Sequence, residues 1–238
     1  MKTGMTLLAL ALLLGGCTNT AVRPADDRTD TLAADGNCAE LEDGERLKLG
    51  LIEDELAAGR PRAAMAHLDA LPDALAGRPL ALYLRAESHR QVKEYDLAAR
   101  LYGRLSEGCL PGAGYHGLGL VAAARQDLDT AIRHLRRARE RLAADPRVRN
   151  DYGYALLLSG RPEAARVEFE TALELSAGES RAARNLLLVM LVVGDEQVAQ
   201  RYARTLSLGD AESRRLHRHA MALREQLSKE SGHDEPVD

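Results

Sequence analysis

The chain has 238 residues, a formal net charge of −4, no tryptophan and one phenylalanine. That length permits one extended domain or two small ones, and the mild acidity argues against general nucleic-acid binding. Alanine, leucine, arginine and glutamate supply most of the chain while runs of β-branched residues are nearly absent, so the composition favours helix and excludes a β-sandwich.

The first element is a leader. Lys2 precedes an apolar run from Met5 to Gly16, 12 residues long. A helix that crosses a bilayer needs about 20 apolar residues, so this run is too short to span and has the layout of a secretory signal over residues 1–16. Its end, Leu14-Gly15-Gly16-Cys17, resembles the bacterial lipobox. The resemblance implies acylation of Cys17, cleavage before it, and a lipid bilayer as one partner. Thr18 follows, not the aspartate that holds many such lipoproteins in the inner membrane, so the expected place is the outer membrane, facing the periplasm. Residues 17–37 contain almost no bulky apolar side chain and are expected to be a flexible tether. With Cys17 lipidated, Cys38 and Cys109 are left as a pair. An oxidising compartment favours a bridge over two buried thiols.

The body of the chain, 38–230, carries an internal repeat. Ala64, Ala98, Ala131, Ala165 and Ala199 recur at spacings of 34, 33, 34 and 34. Four residues beyond each stand Leu68, Tyr102, Leu135, Phe169 and Ala203. Five residues before each is a turn-like site: Gly59, Lys93, Gln126, Gly160 and Gly194. Small residues also mark the first helix of copies three and four, at Gly119 and Gly153, where copies one and five have Ile52 and Leu187. This pattern resembles the tetratricopeptide repeat. The resemblance implies an all-α, right-handed superhelical solenoid of about five helix pairs, at 45–78, 79–111, 112–145, 146–179 and 180–213. Each pair leaves a face uncovered and is stable only when stacked. The prolines agree, falling between repeats (Pro72, Pro79, Pro111, Pro146) or at the start of a second helix (Pro61, Pro162), where proline is tolerated. A capping helix follows at 210–229, with Asp210 as its expected N-cap, and a polar, disordered tail at 231–238.

No catalytic constellation is present, and the chain is not read as an enzyme. Gly112-x-Gly114-x-x-Gly117 has the spacing of a dinucleotide loop. That loop needs a preceding strand and an acidic residue about 20 further on. A helix precedes it here and Ile132 stands 20 beyond Gly112, so the segment is expected to be an inter-repeat turn running into a helix. His217 and His219, two apart on a helix, point to different faces and do not share a metal. No cofactor or metal is expected. The arginine run Arg133, Arg136, Arg137, Arg139 and Arg141 reads as a solvated face, with acidic partners or lipid headgroups as the alternative.

Function is therefore expected to reside in a surface. The repeat resemblance implies a concave groove lined by the first helices: Ala113, His116, Leu120, Ala123 and Ala124 in copy three, Arg147, Asn150, Tyr154, Leu157 and Leu158 in copy four, and Arg181, Arg184, Leu188, Leu191 and Val192 in copy five. Copies one and two give a more charged set, including Arg46, Glu53, Glu87 and Arg90. Asn185 to Gly194 is apolar on every face of its helix and needs cover all round. On the concave side that cover is either the C-terminal helix folding back or an amphipathic helix of a partner. The lipobox, the tether, the cysteine before the first repeat and the copies "NDYGYALLLSGRPEAA" and "RAARNLLLVMLVVGD" together resemble the tetratricopeptide lipoproteins of the tight-adherence (Tad/Flp) pilus system, the TadD-like pilotins. That resemblance implies a secretin subunit as partner, bound through its helical tail and helped to assemble in the outer membrane. A scaffold of β-barrel assembly and a regulator of cell-wall synthesis are the other lipoprotein classes that fit.

Overall fold

The computed structural model describes residues 38, 40–176 and 180–231. The expected leader, the acylation site Cys17, the tether and the last seven residues lie outside the described residues. Among the described residues the chain forms twelve helices and no strand: α1 (Asp43–Ala57), α2 (Pro61–Asp69), α3 (Asp73–Ala76), α4 (Pro79–Gln91), α5 (Tyr95–Ser106), α6 (Pro111–Ala124), α7 (Leu128–Arg141), α8 (Pro146–Leu158), α9 (Pro162–Leu175), α10 (Ser180–Val193), α11 (Glu196–Thr205) and α12 (Asp210–Ser231). Consecutive helices pack as antiparallel pairs in a solenoid. The one-turn α3, between the first and second pairs, has no counterpart in the repeat pattern.

Helix starts follow from residue chemistry. Proline occupies the first turn of α2, α4, α6, α8 and α9, where its missing N–H costs nothing. Asp127 caps α7, accepting from the Thr130 N–H at 3.1 Å, and Asp145 caps α8, accepting from the Arg147 N–H at 2.8 Å. At α12 the expectation is corrected by one residue. Asp210 is the first helical residue, and the Gly209 carbonyl accepts the first bonds, from the Glu212 and Ser213 N–H groups. Ser231, expected in the tail, is the last residue of that helix.

Within each pair the turn is the same. Gly59, Lys93, Gln126, Gly160 and Gly194 have φ of 71°, 66°, 64°, 72° and 92°. All five take the left-handed conformation that reverses the chain, although two are not glycine.

The repeat alanines Ala64, Ala98, Ala131, Ala165 and Ala199 are buried, and so are Leu68, Tyr102, Leu135 and Phe169 one turn on. Helices approach closely where glycine permits. A Cβ on Gly119 would lie 2.6 Å from Leu135, and one on Gly153 would lie 2.9 Å from Phe169. Copy five exchanges the sizes: large Leu187 takes the place of the glycine and small Ala203 the place of the aromatic. The Gly112–Gly117 segment is corrected here. It is not a turn but the first turns of α6, and a Cβ on Gly114 would meet the Ser106 backbone nitrogen at 2.2 Å. Gly114 and Gly117 let α6 lie against α5, close on Ser106 and Tyr102.

Two larger clusters make up most of the core, one spanning α1 to α6 and the other α8 to α12, with smaller ones between. A buried carboxylate joins copies three and four: Glu168 accepts from Arg139 at 2.8 Å and from Arg149 at 2.8 Å. Cys38 and Cys109 are joined by a disulfide 71 residues apart in sequence. It pins the start of the described chain to the loop after α5.

Candidate partner-binding groove

The first helices of the pairs, α1, α4, α6, α8 and α10, line the concave side, and its two ends differ. At the C-terminal end α12 folds back over it. Leu216, Ala220, Leu223 and Leu227 of α12 join the cluster that holds Leu157, Leu187, Leu188 and Leu191. Polar contacts fix the register: Arg184 to Glu212 at 2.5 Å, the Arg224 Nε to the Val192 carbonyl at 2.8 Å, and Tyr154 beside His219, hydroxyl to Nε2 3.4 Å. Arg224 thereby satisfies a carbonyl in the last turn of α10.

This corrects the expected groove. Leu157, Leu188, Leu191 and Val192 are core residues, with Leu157 fully buried, while Tyr154 and Arg184 face α12. Leu158 is half-buried against the same cluster. Of the two covers open to the apolar helix, the chain's own C-terminal helix is the one present. The amide of Asn185 donates to the Asn150 Oδ1 at 2.9 Å, so Asn150 ties copy four to copy five and is buried. Ala113 is buried too, whereas Ala123 and Ala124 are exposed at the end of α6.

His116, Leu120, Arg147 and Arg181 remain on the open part. With Tyr83, Glu87, Arg90, Gln91 and Asp151 they line a cleft of about 220 Å³ that runs from α1 to the start of α10. Glu87 and Arg90 are the charged copy-two positions of the sequence pattern, and Tyr83 sits at the same repeat position as His116. Asp151 is the residue the pattern missed, one position beyond the expected register on α8. It faces the cleft because His116 reaches it, Nε2 to Oδ2 2.8 Å.

The floor of the cleft is a buried polar network. Glu87 accepts from Arg90 Nε and Nη2, one on each carboxylate oxygen, from the Tyr102 hydroxyl at 2.7 Å and from Gln91 at 3.2 Å. Burial alone would raise the Glu87 carboxyl. The hydrogen bonds and charge of Arg90, with the bonds from Tyr102 and Gln91, outweigh it and hold the group at about 2. Burial beside that carboxylate pushes the Tyr102 hydroxyl well up. Across the cleft Arg147 pairs bidentately with Asp145, at 3.1 and 2.7 Å. Burial would raise the Asp145 carboxyl too, and Arg147 brings it below its ordinary value. The result is a wall of paired charges that includes Arg90 and Arg147, with Arg181 also lining the cleft.

His217 and His219 face different elements: His217 Nε2 is 3.9 Å from Glu196 of α11, and His219 meets Tyr154 of α8. No group of three metal-capable side chains gathers among the described residues.

A TPR repeat-containing protein of Pseudomonas aeruginosa is 35% identical to this chain over 211 residues, covering 87% of this chain and 80% of its own length. The chain belongs to the tetratricopeptide-repeat family. No family model matches it. Among solved structures, a thermophilic TPR protein of Thermus thermophilus superposes with a TM-score of 0.60 at 19% identity, covering 75% of this chain and 98% of that one. A chain of the Cut9–Hcn1 hetero-tetramer of APC/C gives 0.62 at 18%, covering 74% and 36%. MamA of Desulfovibrio magneticus gives 0.53 at 17%, covering 70% and 95%. These likenesses show the fold. A tetratricopeptide-repeat fold of this kind mediates contact between proteins and is generally a non-enzymatic scaffold.

Proposed function

We propose that this protein is a lipid-anchored assembly factor, held at the outer membrane through acylated Cys17 and facing the periplasm, whose open groove binds a helical segment of a secretin. The observation that carries the reading is α12. It is an amphipathic helix lying on the concave face, apolar at Leu216, Ala220, Leu223 and Leu227, and so demonstrates the kind of segment this face accepts. The cleft continues beyond α12 past Arg181, Arg147 and Arg90. A second helix with acidic residues set opposite these arginines would bury its apolar side against Leu120 and form charge-assisted bonds along the wall. The sequence resemblance to TadD-like pilotins supports a secretin tail as that segment. Membrane tethering would then raise the effective concentration of secretin subunits where they insert.

The test is capture from outer-membrane extracts by the acylated protein, beside a Leu120→Glu/Arg181→Glu variant with an unchanged circular-dichroism spectrum. Secretin bound by the wild type and lost from the variant is the expected result. Secretin bound equally by both moves the site off the cleft. A β-barrel assembly complex in place of a secretin favours the scaffold reading. Deletion separates the classes again: loss of pili for the pilotin, loss of viability for the barrel scaffold, altered peptidoglycan for the cell-wall regulator.

A further inference from the structure

The convex side of the solenoid, built from the second helices, changes sign along its length. On α5 and α7 Arg100, Arg104, Arg133, Arg136, Arg137 and Arg141 are all exposed. α7 carries five arginines against Asp129 and Glu140, and only Arg139 turns inward, to Glu168. The next second helix, α9, has one arginine against Glu163, Glu168, Glu170 and Glu174. The basic stretch is little neutralised: Arg136 is 3.9 Å from Glu140, Arg137 lies over the Tyr115 ring at 5.4 Å, and Arg133 donates to the Thr130 hydroxyl. A localised positive face thus stands on a chain whose formal charge is −4, and the field of such a face selects anionic surfaces.

A second observation says which anionic surface. The disulfide holds Cys38 to Cys109, three residues past the end of α5. The segment running back to Cys17 therefore leaves the fold at the C-terminal end of α5, not at the free end of the stack. Arg104 is in the last turn of that helix. Two chain reversals make α7 parallel to α5, so Arg137 and Arg141 lie toward the same edge. The twenty residues between Cys17 and Cys38 span at most about 70 Å, which keeps this edge within reach of whatever surface holds Cys17.

We propose that the arginine face of α5 and α7 lies on the anionic phospholipid of the membrane that anchors Cys17, leaving the concave groove turned toward the aqueous side. Guanidinium groups suit this role because each is always charged and pairs bidentately with a phosphate. The inference rests on the anchoring half of the reading above and is independent of the partner.

The experiment is vesicle flotation of residues 17–238 with Cys17→Ser, so that no acyl chain contributes. Among the described residues the buried core lies between Leu49 and Leu223, and removing the leader touches none of that core. Vesicles of phosphatidylglycerol mixed into phosphatidylcholine are compared with phosphatidylcholine alone. The expected result is at least about tenfold more protein on the charged vesicles, falling with salt, and at least about a tenfold loss in Arg100→Gln/Arg104→Gln/Arg133→Gln/Arg141→Gln. Arg181→Gln, on the groove, floats as wild type. Equal flotation on both vesicles overturns the proposal, and so does an equal loss in the groove variant, which would make the effect one of net charge. Tighter binding to a DNA duplex in the same buffer assigns the face to nucleic acid and also overturns it. Should the quadruple variant unfold, salt-independent binding of the unmodified protein has the same force. Failure of anchoring is read separately, by the absence of palmitate incorporation at Cys17 in cells.

Discussion

At its C-terminal end the concave face is covered by α12; between α1 and α8 it stays open. The difference lies in the helices that line each end. α10 offers only apolar side chains from Leu186 to Val192, all buried, and without cover it would present a large apolar patch to water. α4 and α6 instead place Glu87, Arg90 and His116 on that face, each with a partner of its own. A groove wall built of satisfied charges can stand in water, and one built of leucine cannot. The two ends are therefore expected to fail differently.

Leu223→Asp is the sharpest way to break the closed end. It sets a carboxylate in the cluster with Leu187, Leu188 and Leu191, at a cost of about 4 kcal/mol. Hydrogen exchange should then speed up in α10 and α12 while α4 to α6 keep their protection. An equal rise in α4 to α6 would mean that the two ends unfold as one unit and that the comparison has no energetic content.

The open end has its own staple. Cys109→Ser frees a loop of 71 residues, worth about 4 kcal/mol in the chain-entropy model. Urea unfolding should show the loss, with exchange rising first in α1 and α2. A change smaller than about 1 kcal/mol would mean that the helices alone hold the first repeat in place.

Glu87→Gln probes the wall itself. Leaving Arg90 and the buried Tyr102 hydroxyl without a charged partner should cost about 3 kcal/mol. The sign with pH follows from the direction of the shift. Glu87 titrates at about 2 in the folded chain against an ordinary 4.5. Its stabilisation is complete above 4.5 and is lost as pH falls toward 2, about 3 kcal/mol in all. Unfolding midpoints taken between pH 4.5 and 2 should fall more steeply in the wild type than in Glu87→Gln. Parallel slopes would show that the carboxylate is not held by Arg90.

The solenoid was legible because the repeat is written in residue size. Ala64, Ala98, Ala131, Ala165 and Ala199 mark buried helix contacts, and the prolines mark where helices begin. The occupant of the groove was not legible, because the pattern of Asn185 to Gly194 says only that a cover is needed. Whether the helix at 210 turns back over the groove depends on long-range pairings such as Arg224 with the Val192 carbonyl and Arg184 with Glu212. Arg184 and Val192 are repeat positions, but their partners Glu212 and Arg224 lie beyond the last repeat and carry no period. Asp151 escaped for a related reason: it lies one place off the repeat register and is recruited by His116 across a helix interface.

The smallest expected effect concerns the turns, where the two ends are alike in geometry and unlike in sequence. Gly59, Gly160 and Gly194 turn the chain with φ above +70°, and Lys93 and Gln126 do the same at 66° and 64°. A side chain in that conformation costs about 1–2 kcal/mol; glycine removes that cost but loses about 0.5–1 kcal/mol through its greater freedom when unfolded. Lys93→Gly and Gln126→Gly should each stabilise the protein by about 0.5 kcal/mol, read as a rise in the urea midpoint at constant slope. Gly59→Ala gives the converse, because nothing lies within 4 Å of the Cβ it would add; a loss of about 1 kcal/mol there would be backbone strain alone. If both glycine variants destabilise, Lys93 and Gln126 hold their turns by side-chain contacts, and the equivalence of the five turns is one of shape without a common energy.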